Sequence, residues 1–253
     1  MRIKLVIEYD GTNYVGWQRQ RDLMSVQEAL ERAFEEGAGE RVTIHGAGRT
    51  DAGVHAEAQV AHLDTQCRIP PEKLSYVFNT HLPPDIRVRC SERVDDHFHA
   101  RFDAKGKTYR YTIYNDTHPP AIWRHATGFV RGKLDVDKMR EAARKLRGTH
   151  DFKPFSANGC EVKDTVRTIF DVSITVELPY IRIDVSGSGF LNHMVRIIAG
   201  TLIAVGIGKH EPECIDAILA GKETAGMTAP AKGLTLRKVY YIPYEQWGLD
   251  EKK

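Results

Sequence analysis

Residues 166–185 read VRTIFDVSITVELPYIRIDV, and they are the stretch that decides the fold. Apolar and polar residues alternate from Phe170 to Val176 and again from Ile181 to Val185, and Pro179 lies in the short turn between the two runs 166–176 and 180–185. This alternation is typical of two strands joined as a hairpin, and hairpin strands pair antiparallel. The pattern therefore predicts an antiparallel sheet at the centre of the fold.

The rest of the chain supplies further strands and several helices. Strand patterns are found at 2–9, 42–44, 60–63, 86–89, 108–113 and 234–241. Helical patterns are found from Ser25 to Gly37 and at 70–82, 135–147, 190–205 and 214–219. Ser25 and Glu28 form a capping-box pair at the start of the first helix, and Asp135 is a candidate cap for the third.

These elements predict an α+β protein. Hairpin-joined strands with two main helices in each half favour a largely antiparallel central sheet flanked by helices over a doubly wound parallel sheet. The polar stretch Asp95 to Asp103 suggests a boundary, so we expect an N-terminal α+β lobe with the catalytic loop at 1–103 and a C-terminal α+β lobe at 104–253. The two similar lobes are expected to share the sheet, although no internal sequence repeat proves that they are equivalent.

Composition excludes several classes of protein. The longest apolar run, 197–207, is short and interrupted by glycine, so it predicts a buried helix and no membrane span. The four cysteines (Cys67, Cys90, Cys160 and Cys214) form no C-x-x-C pair, which argues against a zinc site and favours a reducing cytosol. No export signal is visible, and we therefore expect a cytoplasmic protein.

Cations cluster locally although the net charge is only +2. One cluster comprises Arg101, Lys105, Lys107 and Arg110, and the other comprises Arg131, Lys133, Lys138, Arg140, Arg144, Lys145 and Arg147. Two interpretations stay open for such runs: a solvated helix face, or a surface that follows the phosphates of a nucleic acid.

The segment 46–56 (GAGRTDAGVHA) carries the candidate chemistry. Its three glycines allow positive φ or a close approach to a ligand, and they place Asp51 on a tight loop. The carboxylate could serve a reaction, or it could only hydrogen-bond its own turn. A phosphate loop is disfavoured because neither glycine-rich phosphate motif is present and a carboxylate repels phosphate.

Several motifs in order resemble those of the tRNA pseudouridine synthase A (TruA) family. They are YDGTNYVGWQRQ at 9–20, GRTDAGVHA at 48–56, FHARF at 98–102, KTYRY at 107–111, GFLNHMVR at 189–196 and TAPAKGL at 228–234. The resemblance spans essentially the whole chain, with no clear departure at a motif position.

The resemblance implies an isomerase that converts uridine to pseudouridine at positions 38, 39 and 40 in the anticodon arm of tRNA. Asp51 matches the family's catalytic aspartate, as nucleophile or as base. Arg196 is expected to pair with it, Tyr109 to stack on the target base, and Arg49 to help extrude the nucleotide. The reaction needs no redox step, so no cofactor is expected, and family members are typically homodimers.

The sequence leaves alternatives open for both the site and the function. Asp95, Asp96, His97, His99 and Asp103 could be drawn as a metal cluster, but neighbours on an extended segment point to opposite faces, and we expect no metal. A nucleoside or base hydrolase would use a carboxylate similarly, and a non-catalytic RNA-binding protein would need only the cations.

Overall fold

The computed structural model describes residues 1–157 and 164–247. Its strands are β1 Arg2–Tyr9, β2 His45–Gly46, β3 His55–Asp64, β4 Ile86–Val94, β5 Gly106–Asn115, β6 Gly128–Val130, β7 Gly148–Asp151, β8 Val166–Glu177, β9 Tyr180–Gly187 and β10 Leu234–Tyr240. Its α-helices are α1 Val26–Ala38, α2 Leu74–His81, α3 Val136–Lys145, α4 Met194–Gly206 and α5 Cys214–Leu219.

The chain forms two compact units. The N-terminal unit contains residues 1–105 together with the chain from Thr235 onward, and the C-terminal unit is Gly106–Leu234. The division predicted from the sequence placed the last strand with the second lobe. In the structure β10 groups with the first unit, because Thr235 and Leu236 pair in parallel with His55 and Ala56 of β3.

In the N-terminal unit, β1 lies between β4 and β3 and pairs antiparallel with both. Four side chains of β1 point to the same face, and each is at most 2% exposed (Ile3, Leu5, Ile7 and Tyr9). Helix α2 packs on α1 and on β4. The period-two burial of β1 explains why the strand forms, since one face is removed from water while the other is partly exposed and carries mainly charged side chains.

In the C-terminal unit, β5, β9, β8 and β7 pair antiparallel in that order, and the short β6 adds in parallel to β5. The hairpin predicted at 166–185 is β8 and β9, with Glu177 opposite Tyr180. Helix α3 packs on α4, α5 and β8, and α4 also contacts β5. The prediction of an α+β protein with a largely antiparallel sheet is therefore confirmed.

Most predicted helices are present with small shifts in their ends. Ser25 caps α1 by accepting a hydrogen bond from the Glu28 N–H at 3.2 Å, as the capping box predicts. That helix continues through Gly37, and Gly39 ends it in the left-handed conformation. Helix α4 begins at Met194 rather than 190, because His193 has φ +59° and interrupts helical geometry.

One strand prediction is wrong. Val42, Thr43 and Ile44 form no strand, and the short β2 begins at the next residue, where His45 pairs with His62 of β3. Three β-branched residues favour a strand only when a partner edge is available, so local propensity is overridden here by tertiary pairing.

In the two described ranges, no helix is long and apolar enough to cross a membrane. Cys67, Cys90 and Cys214 are free thiols, and the fourth cysteine of the sequence, Cys160, lies outside the described residues.

Candidate active site

Asp51 lies on the loop between β2 and β3, and the chain segment that follows β1 clamps this loop. Gly16 and Asp51 form an isolated antiparallel bridge. The Trp17 N–H donates to the Thr50 carbonyl at 3.0 Å, and the Gly53 N–H donates to the Tyr14 carbonyl at 3.4 Å. The N-terminal motif at 9–20 therefore holds the backbone on both sides of the half-buried Asp51.

Two glycines of the clamp are required by close backbone approach. Gly16 has φ +105°, and a Cβ atom there would lie 2.4 Å from the Thr50 carbonyl oxygen. A Cβ atom at Gly11 would lie 2.0 Å from the Val54 carbonyl oxygen. Any side chain at these positions would push the loop away, so only glycine permits this contact.

Three polar side chains are buried beneath the loop. Tyr9 is 2% exposed, Thr50 is 6% exposed and Gln59 is fully buried. The Tyr9 hydroxyl and Thr50 Oγ1 are hydrogen-bonded at 2.7 Å, and Gln59 Nε2 donates to the Gly48 carbonyl at 3.0 Å. Burial raises the pKa of Tyr9 to about 12, although hydrogen bonds from Thr50 and Gln59 act in the opposite direction. Tyr9 therefore stays a neutral phenol at ordinary pH.

Arg49 is the residue directly before Thr50, and its side chain is exposed. Its Nε donates to Gln18 Oε1 at 3.2 Å, and Gln18 Nε2 in turn donates to Gln27 Oε1 at 2.8 Å. Gln27 lies on α1 and donates to Glu31 of the same helix at 2.9 Å. The hydrogen-bonded amides of Gln18 and Gln27 thus connect Arg49 to α1 and orient its guanidinium.

His55 and Asp10 shape the loop and the turn beside it. His55 is buried and its Nδ1 accepts a hydrogen bond from the Gly11 N–H at 3.1 Å. The Asp10 carboxylate accepts from the Thr12 N–H at 3.0 Å and caps the short turn there. Trp17 is buried, and a Cβ atom at Gly46 would meet its ring at 2.5 Å. These contacts support a structural role for all three side chains.

Tyr109 lies in the C-terminal unit on β5, where it is paired with Val185 of β9. It is 8% exposed, and its ring meets the ring of Phe190 edge to face with the centroids 5.1 Å apart. Edge-to-face packing restrains the aromatic plane. Phe190 belongs to the motif at 189–196, so this motif supports Tyr109 through a contact that spacing in the sequence does not reveal.

Arg196 lies in the first turn of α4 and is held by the segment that precedes β10. Its Nε donates to the Ala229 carbonyl at 2.8 Å, and the Ala229 N–H donates to the Arg196 carbonyl at 3.1 Å. The Tyr111 hydroxyl donates to the neighbouring Pro230 carbonyl at 3.1 Å. Burial raises the pKa of Tyr111, and the Arg196 charge acts in the opposite direction. The motif at 228–234 therefore orients this guanidinium.

The cations of α3 are mostly engaged with carboxylates. Lys138 bonds to Glu211 and Lys145 bonds to Asp216, each at 2.7 Å, and Arg140 bonds to Asp137 at 3.0 Å. Of the two interpretations left open by the sequence, these exposed ion pairs favour a solvated helix face.

The segment 95–103 is organised by backbone hydrogen bonds. In the parts of the chain that the structure describes, no group of three or more His, Cys, Asp or Glu side chains could hold a metal ion. His99 instead packs its ring edge on His62, with the centroids 4.6 Å apart, and His45 stacks on His62 at 5.1 Å. Burial of His62, together with the nearby His99 and His45, lowers its pKa to about 4.

The predicted site residues thus fall into two groups. Asp51 and Arg49 belong to the N-terminal unit, where one loop carries both, and Tyr109 and Arg196 belong to the C-terminal unit. Sequence reasoning missed Gln59 and quoted Tyr9 only as part of a motif. The only sequence signal for Gln59 was an amide next to the apolar run 60–63, and its burial on β3 is visible only in the structure.

Comparison with known proteins identifies the family of the chain. A family model described as tRNA pseudouridine synthase matches residues 5–103 and 142–242. A protein of Acetivibrio thermocellus named tRNA pseudouridine synthase A is 50% identical over 94% of this chain and 99% of its own length. The proteins of the same name from Ruminiclostridium cellulolyticum and Geobacter sp. are 52% and 47% identical, over 95% and 94% of this chain and 99% and 98% of their own lengths. With motifs, fold and relatives in agreement, the chain belongs to the tRNA pseudouridine synthase family.

Proposed function

We propose that this protein is cytoplasmic and isomerises uridine to pseudouridine at positions 38–40 in the anticodon stem-loop of tRNAs, with Asp51 as the catalytic residue and no cofactor. The observation that carries the proposal is the placement of Asp51. A half-buried carboxylate lies on a loop whose backbone is hydrogen-bonded on both sides, and the loop has the family's motif.

The reaction breaks the bond between N1 of uracil and C1′ of the ribose and forms a bond between C5 and C1′. C5 loses a proton and N1 gains one, so the nucleotide keeps its formula and no electrons leave it. A carboxylate can attack the sugar or remove a proton from it, and both roles need the ionised form.

Three further side chains complete the proposed site. Arg196 pairs with Asp51 in this proposal and supplies the opposite charge that a carboxylate in a base pocket requires. Tyr109 stacks on uracil through the aromatic face that Phe190 restrains. Arg49 fills the place of the extruded uridine, since a stacked nucleotide hides its glycosidic bond. All three assignments rest on the family motifs that these residues occupy.

The substrate in this proposal is the anticodon arm, and the protein acts as a homodimer. Both expectations come from the family resemblance. Light scattering at the enzyme concentration used in the assay tests the second one: a mass of twice 28.6 kDa is expected, and a mass of 28.6 kDa would exclude the dimer.

The decisive experiment compares Asp51→Asn with the wild-type enzyme on unmodified tRNA. Pseudouridine is mapped by a chemical adduct that stops reverse transcription. The substitution keeps shape and removes charge, so we expect the rate to fall about a thousandfold or more while tRNA still binds. Asp22→Asn is the matched control, because Asp22 is exposed and has φ +61°, a conformation that asparagine adopts readily.

The same samples separate the competing functions. Mass spectrometry of the RNA shows an unchanged mass for isomerisation, whereas a hydrolase would release free uracil. A protein that binds tRNA with steep salt dependence and leaves every uridine intact would be a non-catalytic RNA-binding protein. Normal activity of Asp51→Asn would refute the proposed mechanism.

A further inference from the structure

From Gly48 to Asp51, residues that are hydrogen-bonded to the residues beneath the loop alternate along the chain with residues that are more exposed. The Gly48 carbonyl is held by Gln59, and Thr50 turns its side chain inward to Tyr9. Arg49 is exposed and Asp51 is half-buried. Asp51 follows Thr50 directly in the chain, so fixing Thr50 on the inner side restricts the positions that Asp51 can take.

We propose that Tyr9 is a positioning residue that orients the Asp51 carboxylate through Thr50, and that Gln59 supports it by holding Gly48. This inference rests on the proposed function and adds a second set of residues to it. Neither Tyr9 nor Gln59 is assigned a contact with the substrate, because both lie beneath the loop and are buried.

The location of the anchor supports this role. Tyr9 is the last residue of β1, and Gln59 lies in the middle of β3, so both belong to the paired strands of the sheet. Sites carried on loops are less exact than sites carried on strands, unless packing and hydrogen bonds lock the loop. The Tyr9 hydroxyl at the end of β1 is hydrogen-bonded to Thr50, the residue directly before Asp51, and so restrains the loop at that point.

Gln59 provides a second indication. Within the described part of the chain, its Oε1 is buried without a hydrogen-bond partner. A buried oxygen without a partner destabilises the folded state, so packing alone would favour an apolar side chain of similar size. The bond from Gln59 Nε2 to Gly48 explains why an amide is present here.

The test uses isosteric variants that keep the core filled. Tyr9→Phe and Thr50→Val each remove one hydroxyl of the pair, and Thr50→Ser restores it. Tyr241→Phe is the matched control, because it removes a hydroxyl bonded at 2.7 Å to the Ala100 carbonyl, elsewhere in the same unit. The kcat and KM for tRNA, the melting temperature and hydrogen exchange of the loop amides are measured for each variant.

We expect Tyr9→Phe and Thr50→Val to lower kcat by about tenfold with KM unchanged, since a small misplacement of a reacting group has large effects. The double variant should lose no more than either single variant, and Thr50→Ser should recover most of the rate. Amides of residues 48–51 should exchange faster in Tyr9→Phe and remain at the wild-type rate in Tyr241→Phe. Gln59→Met should lower kcat without lowering the melting temperature.

Unchanged loop exchange in Tyr9→Phe would overturn the proposal, and so would a kcat within twofold of wild type at normal stability. Equal losses of kcat in Tyr9→Phe and Tyr241→Phe would also overturn it, because the effect would then be general destabilisation. If loop exchange rises but the wild-type enzyme makes no pseudouridine, the positioning of the loop stands and the proposed function fails.

Discussion

Replacing Gly16 by alanine tests how closely the N-terminal motif is fitted to the catalytic loop. The new Cβ atom would lie 2.4 Å from the Thr50 carbonyl oxygen and 3.0 Å from the Asp51 carbonyl carbon. Both atoms belong to backbone, so no flexible side chain can swing away. The residue also has φ +105°, which an L-amino acid with a side chain rarely adopts.

The magnitude follows from these two effects. A non-glycine residue at positive φ costs roughly 1–2 kcal/mol, and forcing an extra methyl group into a packed contact costs roughly 1–3 kcal/mol. Together they predict a loss of about 3 kcal/mol in the free energy of unfolding, which corresponds to a fall in Tm of about 6–12 °C for a chain of this size. Since the strain falls on the Asp51 loop, kcat should also fall by about tenfold or more at 25 °C.

Thermal unfolding and tRNA modification are measured together, with Gly39→Ala as the control. Gly39 belongs to the same unit and has φ +69°, but a Cβ atom there would meet nothing within 4 Å. This variant should lose only the positive-φ cost of roughly 1–2 kcal/mol and keep its kcat. If Gly16→Ala were as stable as Gly39→Ala, the close approach to Thr50 would be wrong. A large stability loss with a normal kcat would show that the clamp does not position Asp51.

Two further predictions concern charge. The pKa of His62 falls from 6.5 to about 4 in the folded state, so the unfolded chain binds more protons between these values. The His62 contribution to stability is therefore present above pH 6.5 and lost as pH falls toward 4. In urea unfolding across this range, the free energy of unfolding should depend less on pH in His62→Gln than in the wild type. The same pH dependence in both would refute the assignment. Neutralising Lys138 and Lys145 together should leave both the Tm and the salt dependence of tRNA binding unchanged, because exposed ion pairs contribute little to stability. A slope reduced by about 1 per lysine would instead identify phosphate contacts.

Local patterns were sufficient for much of the fold. Alternation at 166–185 predicted the hairpin of β8 and β9, and the Ser25 and Glu28 pair predicted the start of α1, because both features depend on neighbours within a few residues. The prediction of a strand at Val42–Ile44 was wrong for the opposite reason. The same β-branched residues form a strand or a loop depending on whether a partner edge is available, and the sequence does not show that edge.

In the candidate site, too, some features were predictable from the sequence and others were not. The motif at 48–56 was sufficient to predict Asp51 as the catalytic residue on a glycine-rich loop, because that prediction depends only on the order of residue types along the chain. Only the tertiary structure decided that Gly16 bridges Asp51, that Tyr9 bonds to Thr50 and that Gln59 supports Gly48. These partners are separated from the loop by about ten to forty positions along the chain. Hydrogen-bond geometry depends on distances in space, so it is determined only when the strands have paired.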